Sequence, residues 1–548
     1  MDQFSHGMVV GLIVRSSTIW RWQLQLIQSL IARNIISVRE IIALDLPKIE
    51  QDKRIALLHR LDGKIFGSPV DAFDVHDASQ LSENLISCDE FLRDKSVVSD
   101  ALINLSESMP PIALIQRVAL GVLQPVFSES GHLHSEAIGL RQHLDQQKQI
   151  YLSLTQLKPE GGQSILGEMR PSFEQGSFSR NLNSYWAWLG YLWERGLIKL
   201  AEQRDTDQRV SRPESVVSSE QSQRTSGTLA FQSNSQPLHH PLSLLDTAKG
   251  LVQLGVNMQR KLRQKYLHRE QWGLLVKSLR HDSAVMGGQL DFKNFQEITP
   301  PSDCFWADPF VVSKDGRDYV FFEELLFATE RGHLSCMELL ADGSHTEPVR
   351  IIEEPHHLSY PNVFEHDDTF YLIPESGDQG SVGVYRCTEF PYQWVFHKTL
   401  IKDVHAYDST LVEHDGRWWL FTTITPEPGL SECEELHIFY ANSPMSEHWQ
   451  PHPKNPVISD ASCARPGGNF YQSDGQLYRV SQDCAGRYGA GINLSKVEQL
   501  TVNDYQESLV ERYYPEWDKR LIALHTLNFN ENFAVADALR VKTKGFLK

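Results

Sequence analysis

The sequence predicts two folds in one chain: an α/β N-terminal domain with a mostly parallel sheet, then an all-β five-bladed β-propeller. Three observations carry this. Apolar runs alternate with helical patterns over residues 1–202. A Ser-, Gln- and Arg-rich stretch with few apolar residues interrupts the chain at 203–243. Beyond it, a strand–turn–strand motif recurs at a period of about 50 residues, which suits four-stranded propeller blades.

The N-terminal elements follow from apolar patterning. Met8–Val14 (MVVGLIV) reads as a buried strand, and Ser16-Ser17 as the cap of a helix from Ile19 to Ala32. In that helix Trp20, Leu24, Ile27 and Ile31 recur near helical spacing. Ile41–Leu46, Ala101–Leu105 and Ile150–Leu157 are further strands, and Tyr185–Leu200 is a strongly apolar helix. Strands alternating with helices imply a sheet covered on both faces. The stretch 203–243 buries too little apolar surface to order itself and reads as a linker. Residues 244–269 then form a connecting helix that ends in Arg260, Lys261, Arg263 and Lys265. That helix either packs on its neighbour as a solvated connector or makes peripheral membrane contact through 244–267.

The propeller is expected over 270–541. Its copies are Ala307–Glu324, Ser359–Ser376, Tyr407–Thr423 and Arg465–Asp483, with a weaker fifth at His525–Leu539. Each of the first four places Asp-Gly or Asp-Asp between two β-rich runs, a strong local hairpin signal. Gln271–Lys277 precedes the first copy and would complete the last blade, closing the ring.

The register also places side chains. The first strand of a blade lines the axis and the second returns antiparallel, so the start of one and the end of the other share a rim. The starts are Asp308, Tyr360, Asp408, the Arg465–Gly467 stretch and His525. The ends, at equal spacing from the hairpin Asp, are Glu323, Glu375, Thr423 and Gln482, with Glu324 and Asp483 one step on. Four carboxylates, Asp308, Glu323, Glu375 and Asp408, should therefore crowd one mouth. Like charges so confined raise one partner's pKa, which an acid/base pair requires. Arg465, beside Pro466-Gly467-Gly468, would clamp a phosphate or carboxylate, or else neutralise the acids. Tyr360, His525, Gln482, Asp483 and Arg487 complete the candidate substrate contacts, with Trp306 either stacking on a sugar or packing in the core.

Composition narrows the classes. The 548 residues carry a formal net charge of −18, against the basic face of a general nucleic-acid binder. The seven Cys are scattered with no Cys-x-x-Cys pair, so mostly reduced core thiols in a cytoplasmic protein are expected. Met8–Val14 follows acidic Asp2 and ends at Arg15, unlike a signal peptide, and no 18-residue apolar run exists. No metal, nucleotide loop or cofactor is expected.

The motifs FWADPF, LSYPNVFEH, DSTLVEHDGRWWLF, ARPGG and QDCAGRYG resemble the propeller domain at the N-terminus of plant glucosamine inositolphosphorylceramide transferases. The likeness spans roughly Gln271–Arg540, and that domain also follows a formyltransferase-like domain in bacterial proteins. WADPF with the YPN, YDST and RPGG copies looks, more broadly, like the five-bladed furanosidase superfamily of arabinanases, invertases and levansucrases. The superfamily resemblance implies Asp308 as base or nucleophile, Asp408 as stabiliser of a positively charged sugar, and Glu375 or Glu323 as acid. Together they imply glycosyl transfer, possible with a furanose, between a sugar donor and a glycan acceptor in polysaccharide or glycoconjugate synthesis. Glycoside hydrolysis and non-catalytic sugar binding stay open. The N-terminal segments MVVGLIVRSSTIWRWQLQLIQSL, ALINLS and YLSLTQLKPEGGQSILGEM are similar to the methionyl-tRNA formyltransferase fold, a Rossmann-type sheet. Its Asn-His-Asp constellation lacks a counterpart: Pro125–Gly139 offers His132 and His134 without the motif, so a degenerate relative is expected.

Overall fold

The computed structural model describes residues 7–50, 52–67, 72–94, 96, 99–129, 131, 133, 138–173, 176–210, 243–279, 290–427 and 429–544. It divides into two compact units, Met1–Met258 and Gln259–Lys548.

The first unit is built on a mixed sheet. Leu85–Ser87, Ile36–Leu44, Met8–Arg15, Ala101–Asn104 and Val122–Val126 lie side by side and parallel. Leu152–Leu157 and Gln163–Met169 extend the sheet antiparallel. Counting only the parallel strands in chain order, the sheet reads 3-2-1-4-5, a doubly wound order that reverses beside Met8–Arg15. Val10, Leu12, Ile13 and Val14 of that strand are fully buried, as a parallel strand covered on both faces should be. Ser16-Ser17 do not cap a helix. Ser16 takes a left-handed φ of 57° in a tight turn, and Arg15 pairs with Thr18 across it. The helix Arg21–Ala32 is closed instead by Gln23, whose Oε1 accepts the Trp20 N–H at 3.0 Å. The apolar helix runs longer than expected, Phe178–Val210, because Phe178 and Leu182 pack at its start just as Trp188 and Trp193 do further along. The first eight residues of the expected linker are therefore helical, while 211–242 lie outside the described residues, as do His132 and His134. The connecting helix is Leu244–Tyr266.

The second unit is the five-bladed propeller. Blade I is Cys304–Lys314, Arg317–Leu326, Arg331–Leu339 and Val349–Ile352. Blade II is Ser359–His366, Thr369–Glu375, Ser381–Glu389 and Gln393–Lys402. Blade III is His405–His414, Arg417–Thr425, Glu435–Ala441 and Gln450–Pro451, with Ile458–Ser459 alongside. Blade IV is Tyr471–Ser473, Gln476–Asp483, Gly491–Leu500 and Tyr505–Tyr513.

Blade V joins the two ends of the propeller. Its inner segments Leu521–Ala523 and Leu527–Phe529 and its second strand Phe533–Thr543 come last in the chain. Its third and fourth strands, His268–Ser278 and Gln296–Ile298, come first. His268–Ser278 pairs antiparallel with Phe533–Thr543 from His268↔Thr543 to Ser278↔Phe533, which closes the ring. The hairpins expected at Asp-Gly form with both turn residues at positive φ: Asp315 and Gly316, Asp415 and Gly416, Asp474 and Gly475. Asp367 and Asp368 do the same in blade II. Such primed turns match the twist of the strands they join.

One irregularity recurs at the mouth. The first strands of blades I to III each carry a β-bulge, and the bulged residue is Asp308, Tyr360 or Asp408, at φ of 51°, 45° and 52°. Asp tolerates this region, whereas a bulky residue such as Tyr360 is a genuine outlier there. The bulge leaves Ala307, Ser359 and Tyr407 opposite Glu323, Glu375 and Thr423. In blade IV the carbonyl of Arg465 accepts the Gln482 N–H, so Arg465 occupies the rung of Ala307, Ser359 and Tyr407 and not the bulge. Within the expected Arg465–Gly467 stretch, Arg465 is thus the residue one step before the bulge position.

Candidate active site

The bulged mouth of the propeller opens into a cavity of about 290 Å³. Five carboxylates line it, from Asp308, Glu323, Glu375, Asp378 and Glu432, against three cationic groups from His357, Arg465 and His525. Trp272, Phe305, Tyr407 and Tyr488 supply flat apolar faces. Of the residues expected at the mouth, Asp308, Glu323, Glu375, Arg465 and His525 line this cavity.

Asp308 is fixed from several directions. Its Oδ1 accepts the Thr526 hydroxyl at 2.7 Å, its Oδ2 accepts the Tyr360 N–H at 3.2 Å, and its own N–H donates to Asp537 Oδ2 at 2.9 Å. His525 lies between two acids, with Nδ1 2.8 Å from Asp537 Oδ2 and Nε2 3.2 Å from Asp308 Oδ1. Burial opposes the imidazole's charge, but Asp537 and Asp308 outweigh it and push His525 up to about 9. The Trp272 ring, from the closing strand, packs against it tilted by 32°, with 4.1 Å between centroids. Gly489, at φ +58°, allows this packing, because a Cβ there would come within 2.7 Å of His525 Cβ.

Glu323 and His357 form a second pair, Oε1 to Nε2 at 3.3 Å. Burial raises the Glu323 carboxyl. His357 also loses by burial, yet Glu323 and then Glu375 and Asp308 push it up to about 9. His357 is therefore a cation at neutral pH, facing the buried Glu323 carboxyl. Gly332 makes room for it, since a Cβ there would lie 2.6 Å from Glu323 Oε1 and 2.8 Å from His357 Cε1.

Glu375 is the most strongly displaced acid on the cavity wall. Burial carries its carboxyl up to about 7, against the stabilising Gly377 N–H. That N–H donates to Oε1 at 2.6 Å, and Ser359 Oγ donates to Oε2 at 2.9 Å.

Arg465 sits at the far wall with its side chain 4% exposed. Its Nε and Nη2 donate to Asp408 Oδ2 and Oδ1 at 2.6 and 3.2 Å, and Nη1 donates to Glu432 Oε2 at 2.5 Å. Gln482 Nε2 adds a third donor to Asp408 at 2.8 Å. Burial pushes the Asp408 carboxyl up to about 6 against the guanidinium, so it is ionised at neutral pH.

Six expected site residues are placed elsewhere. Asp408 does not reach the cavity wall, because Arg465 covers it. Tyr360 is fully buried, with its phenol against Thr410 Oγ1, and only its backbone serves the site. Gln482 is spent on Asp408 and on the Pro466 carbonyl. Asp483 accepts from Tyr514 Oη and the Ala485 N–H. Arg487 pairs with Glu270 at 3.0 Å. Trp306 packs on Phe322 within blade I and donates to Glu324.

Among the described residues, Asp308, His525 and Asp537 are the one group whose donor atoms converge as metal ligands would. A ligating imidazole must be neutral. A metal bound there would displace the proton that Asp537 and Asp308 hold on His525 in its absence.

Sequence reasoning missed His357, Glu432 and Asp537. His357 precedes Ser359 by two residues and so belongs to the blade II rim, which the repeat itself could have indicated. Glu432 lies in the connection after blade III's second strand, outside any repeat position, and carries no signal.

Residues 290–527 match the family model described as glucosamine inositolphosphorylceramide transferase 1, N-terminal. Glucosamine inositolphosphorylceramide transferase 1 of Oryza sativa subsp. japonica is 39% identical over 206 residues, 37% of this chain and 27% of that protein. The Arabidopsis thaliana protein of the same name is 37% identical over 206 residues, with the same coverage. The chain thus spans about a quarter of the length of the curated relatives it matches. Among solved structures, the catalytic domain of the Coprinopsis cinerea GH62 α-L-arabinofuranosidase is 14% identical at a TM-score of 0.34, covering 44% of this chain and 94% of that one. Bacillus subtilis arabinanase Arb43A is 13% identical at 0.31, covering 43% and 93%.

Proposed function

We propose that the propeller cavity is the active site of a glycosyltransferase that moves a sugar from an activated donor onto a hydroxyl of a polyol or glycan acceptor. The observation that carries this reading is the inequality of the acids at one mouth. Glu375, displaced to about 7, exchanges a proton near neutral pH. Asp308, tied to Thr526 and facing the His525 imidazolium, offers a fixed negative charge. Transfer uses both. The acceptor O–H gives its proton to Glu375 as its oxygen bonds the anomeric carbon, and the donor's bond to that carbon breaks with its electron pair leaving on the donor group. Asp308 faces the positive charge that develops on the sugar. Trp272 and Tyr488 stack on the sugar faces.

The family match favours transfer over hydrolysis. The names of the plant relatives point to an acceptor that carries an inositol phosphate. A furanose donor rests on the motif likeness to furanosidases. Reading the first unit as a degenerate formyltransferase-like domain rests on its doubly wound strand order and the missing Asn-x-His. A cytoplasmic protein of glycoconjugate synthesis, touching membrane through the connecting helix, completes the reading. On that helix Leu245, Val252, Leu262 and Tyr266 are exposed beside Arg260, Lys261, Arg263 and Lys265, the composition of an interfacial helix.

The test offers the full chain nucleotide sugars and sugar phosphates as donors with inositol phosphodiesters and glycans as acceptors. Wild type is compared with Glu375→Gln and Asp308→Asn. Acceptor-dependent product that both variants lose supports transfer. Release of free sugar at a rate indifferent to acceptor replaces it with hydrolysis, and sugar binding without turnover replaces both with recognition.

A further inference from the structure

Arg465 is held in two unlike ways. On one side the grip is permanent: Asp408 accepts from Nε and Nη2, and both side chains are buried, at 4% and 2% exposure. The Tyr407 and Tyr488 rings face the guanidinium carbon at 5.8 and 5.0 Å. On the cavity side the partner is Glu432, whose side chain is 42% exposed. It stands in the connection between Arg417–Thr425 and Glu435–Ala441, not on a strand. One acid is therefore fixed in the core, and the other can turn to water while losing only a part-exposed ion pair.

We propose that Glu432 is an internal stand-in for the phosphodiester of the substrate, and that binding displaces it from Arg465. The swap conserves charge. Asp408 and Arg465 cancel, and the single negative charge of Glu432 gives way to the single negative charge of a phosphodiester. A guanidinium offers five N–H donors, and the oxygens of a phosphate accept from it as a carboxylate does. The rest of the mouth sets the class of anion. Asp308, Glu323, Glu375 and Asp378 already line it, so a dianionic phosphate or a diphosphate adds charge where repulsion is greatest. A singly charged diester of a polyol adds none. Glu432 thus screens ligands, yielding to an anion that brings its own polyol contacts and not to a free anion.

This inference rests on the transfer reading for the identity of the polyol, and its test needs no turnover. Calorimetric titration of the full chain uses glycerophosphoinositol, inositol 1-phosphate, free inositol and inorganic phosphate, on wild type and on Glu432→Gln. The expected result is about two- to five-fold tighter binding of the diester by Glu432→Gln, the competition of a part-exposed pair removed, with free inositol unchanged. Arg465→Lys, which keeps a charge opposite Asp408, should weaken the diester and abolish the gain. Equal or weaker diester binding by Glu432→Gln overturns the stand-in role. An equal gain for inorganic phosphate overturns the assignment to a diester. Diester binding that tightens as expected in a protein that transfers no sugar leaves the stand-in standing and removes the transferase.

Discussion

Arg465 grips both carboxylate oxygens of Asp408 across 57 residues of chain, and both side chains are almost wholly buried. Asp408 lies behind the guanidinium, off the cavity wall, and holds it in position without itself touching substrate. Asp408→Asn leaves a buried guanidinium with one part-exposed acid, and breaking a buried pair costs about 3–5 kcal/mol. The expected outcome is a lower urea midpoint together with lost activity. A variant with normal stability and a collapsed kcat would return Asp408 to the catalytic group.

The pH profile assigns the role of Glu375. As a base it works ionised, so activity should rise as pH passes about 7. His357 and His525 lose their protons near 9, so activity should fall there. Glu375→Gln should lose roughly 100-fold or more, the scale of proton-transfer catalysis, and what remains should lack the limb near 7. A profile that falls through 7 would make Glu375 the acid that protonates the leaving group.

The same carboxyl is also a stability group. Its pKa in the fold is raised above its unfolded value, so its contribution is complete below about 4.5 and disappears as pH rises through about 7. His525 acts in the same direction, complete below about 6.5 and lost through about 9. Melting temperature should therefore decline between pH 5 and 9, and less steeply in Glu375→Gln. An identical decline in both proteins would show that Glu375 is not displaced.

Much of this was legible because hairpins and repeats are local. Asp315-Gly316 and its counterparts fix turn type and register within a few residues, so Asp308, Glu323 and Glu375 could be placed at one mouth. The bulges were not legible. Nothing local distinguishes a bulged Asp308 from a regular one, and Tyr360, at the equivalent bulge, was misplaced because its phenol reaches Thr410 Oγ1 in the core. In blade IV the motif narrowed the start only to Arg465–Gly467, and the pairing with Gln482 singles out Arg465 within it. Asp408 needed three-dimensional knowledge, since only the fold shows that Arg465 covers it. The fifth copy was faint because its turn is Asn530–Asn532 without a glycine, and half of its blade comes from before the first copy.

Two glycines test whether the acids are held in working positions. A Cβ on Gly332 would meet Glu323 Oε1 and His357 Cε1, and one on Gly377 would come within 2.4 Å of the Tyr407 ring. Gly332→Ala should part the Glu323–His357 pair, and Gly377→Ala should shift the N–H that holds Glu375. Both should lower kcat far more than they lower melting temperature. Full activity in either variant would mean that its acid takes no part.

Ring closure makes one buried leucine matter beyond its own blade. Leu274 is fully buried in His268–Ser278, the strand that pairs with Phe533–Thr543, and it packs with Trp306, Val320 and Phe322 of blade I. Leu274→Ala should cost about 2–5 kcal/mol, as other large-to-small core changes do. Its spread is the more telling quantity. A blade made from both ends of a ring cannot loosen alone, because its outer strands hold the inner ones in place. Hydrogen exchange should therefore quicken in Phe533–Thr543 and in Cys304–Lys314 together. Quickening confined to His268–Ser278 would mean that the inner strands stay closed without it, and that the strand seals a ring already stable.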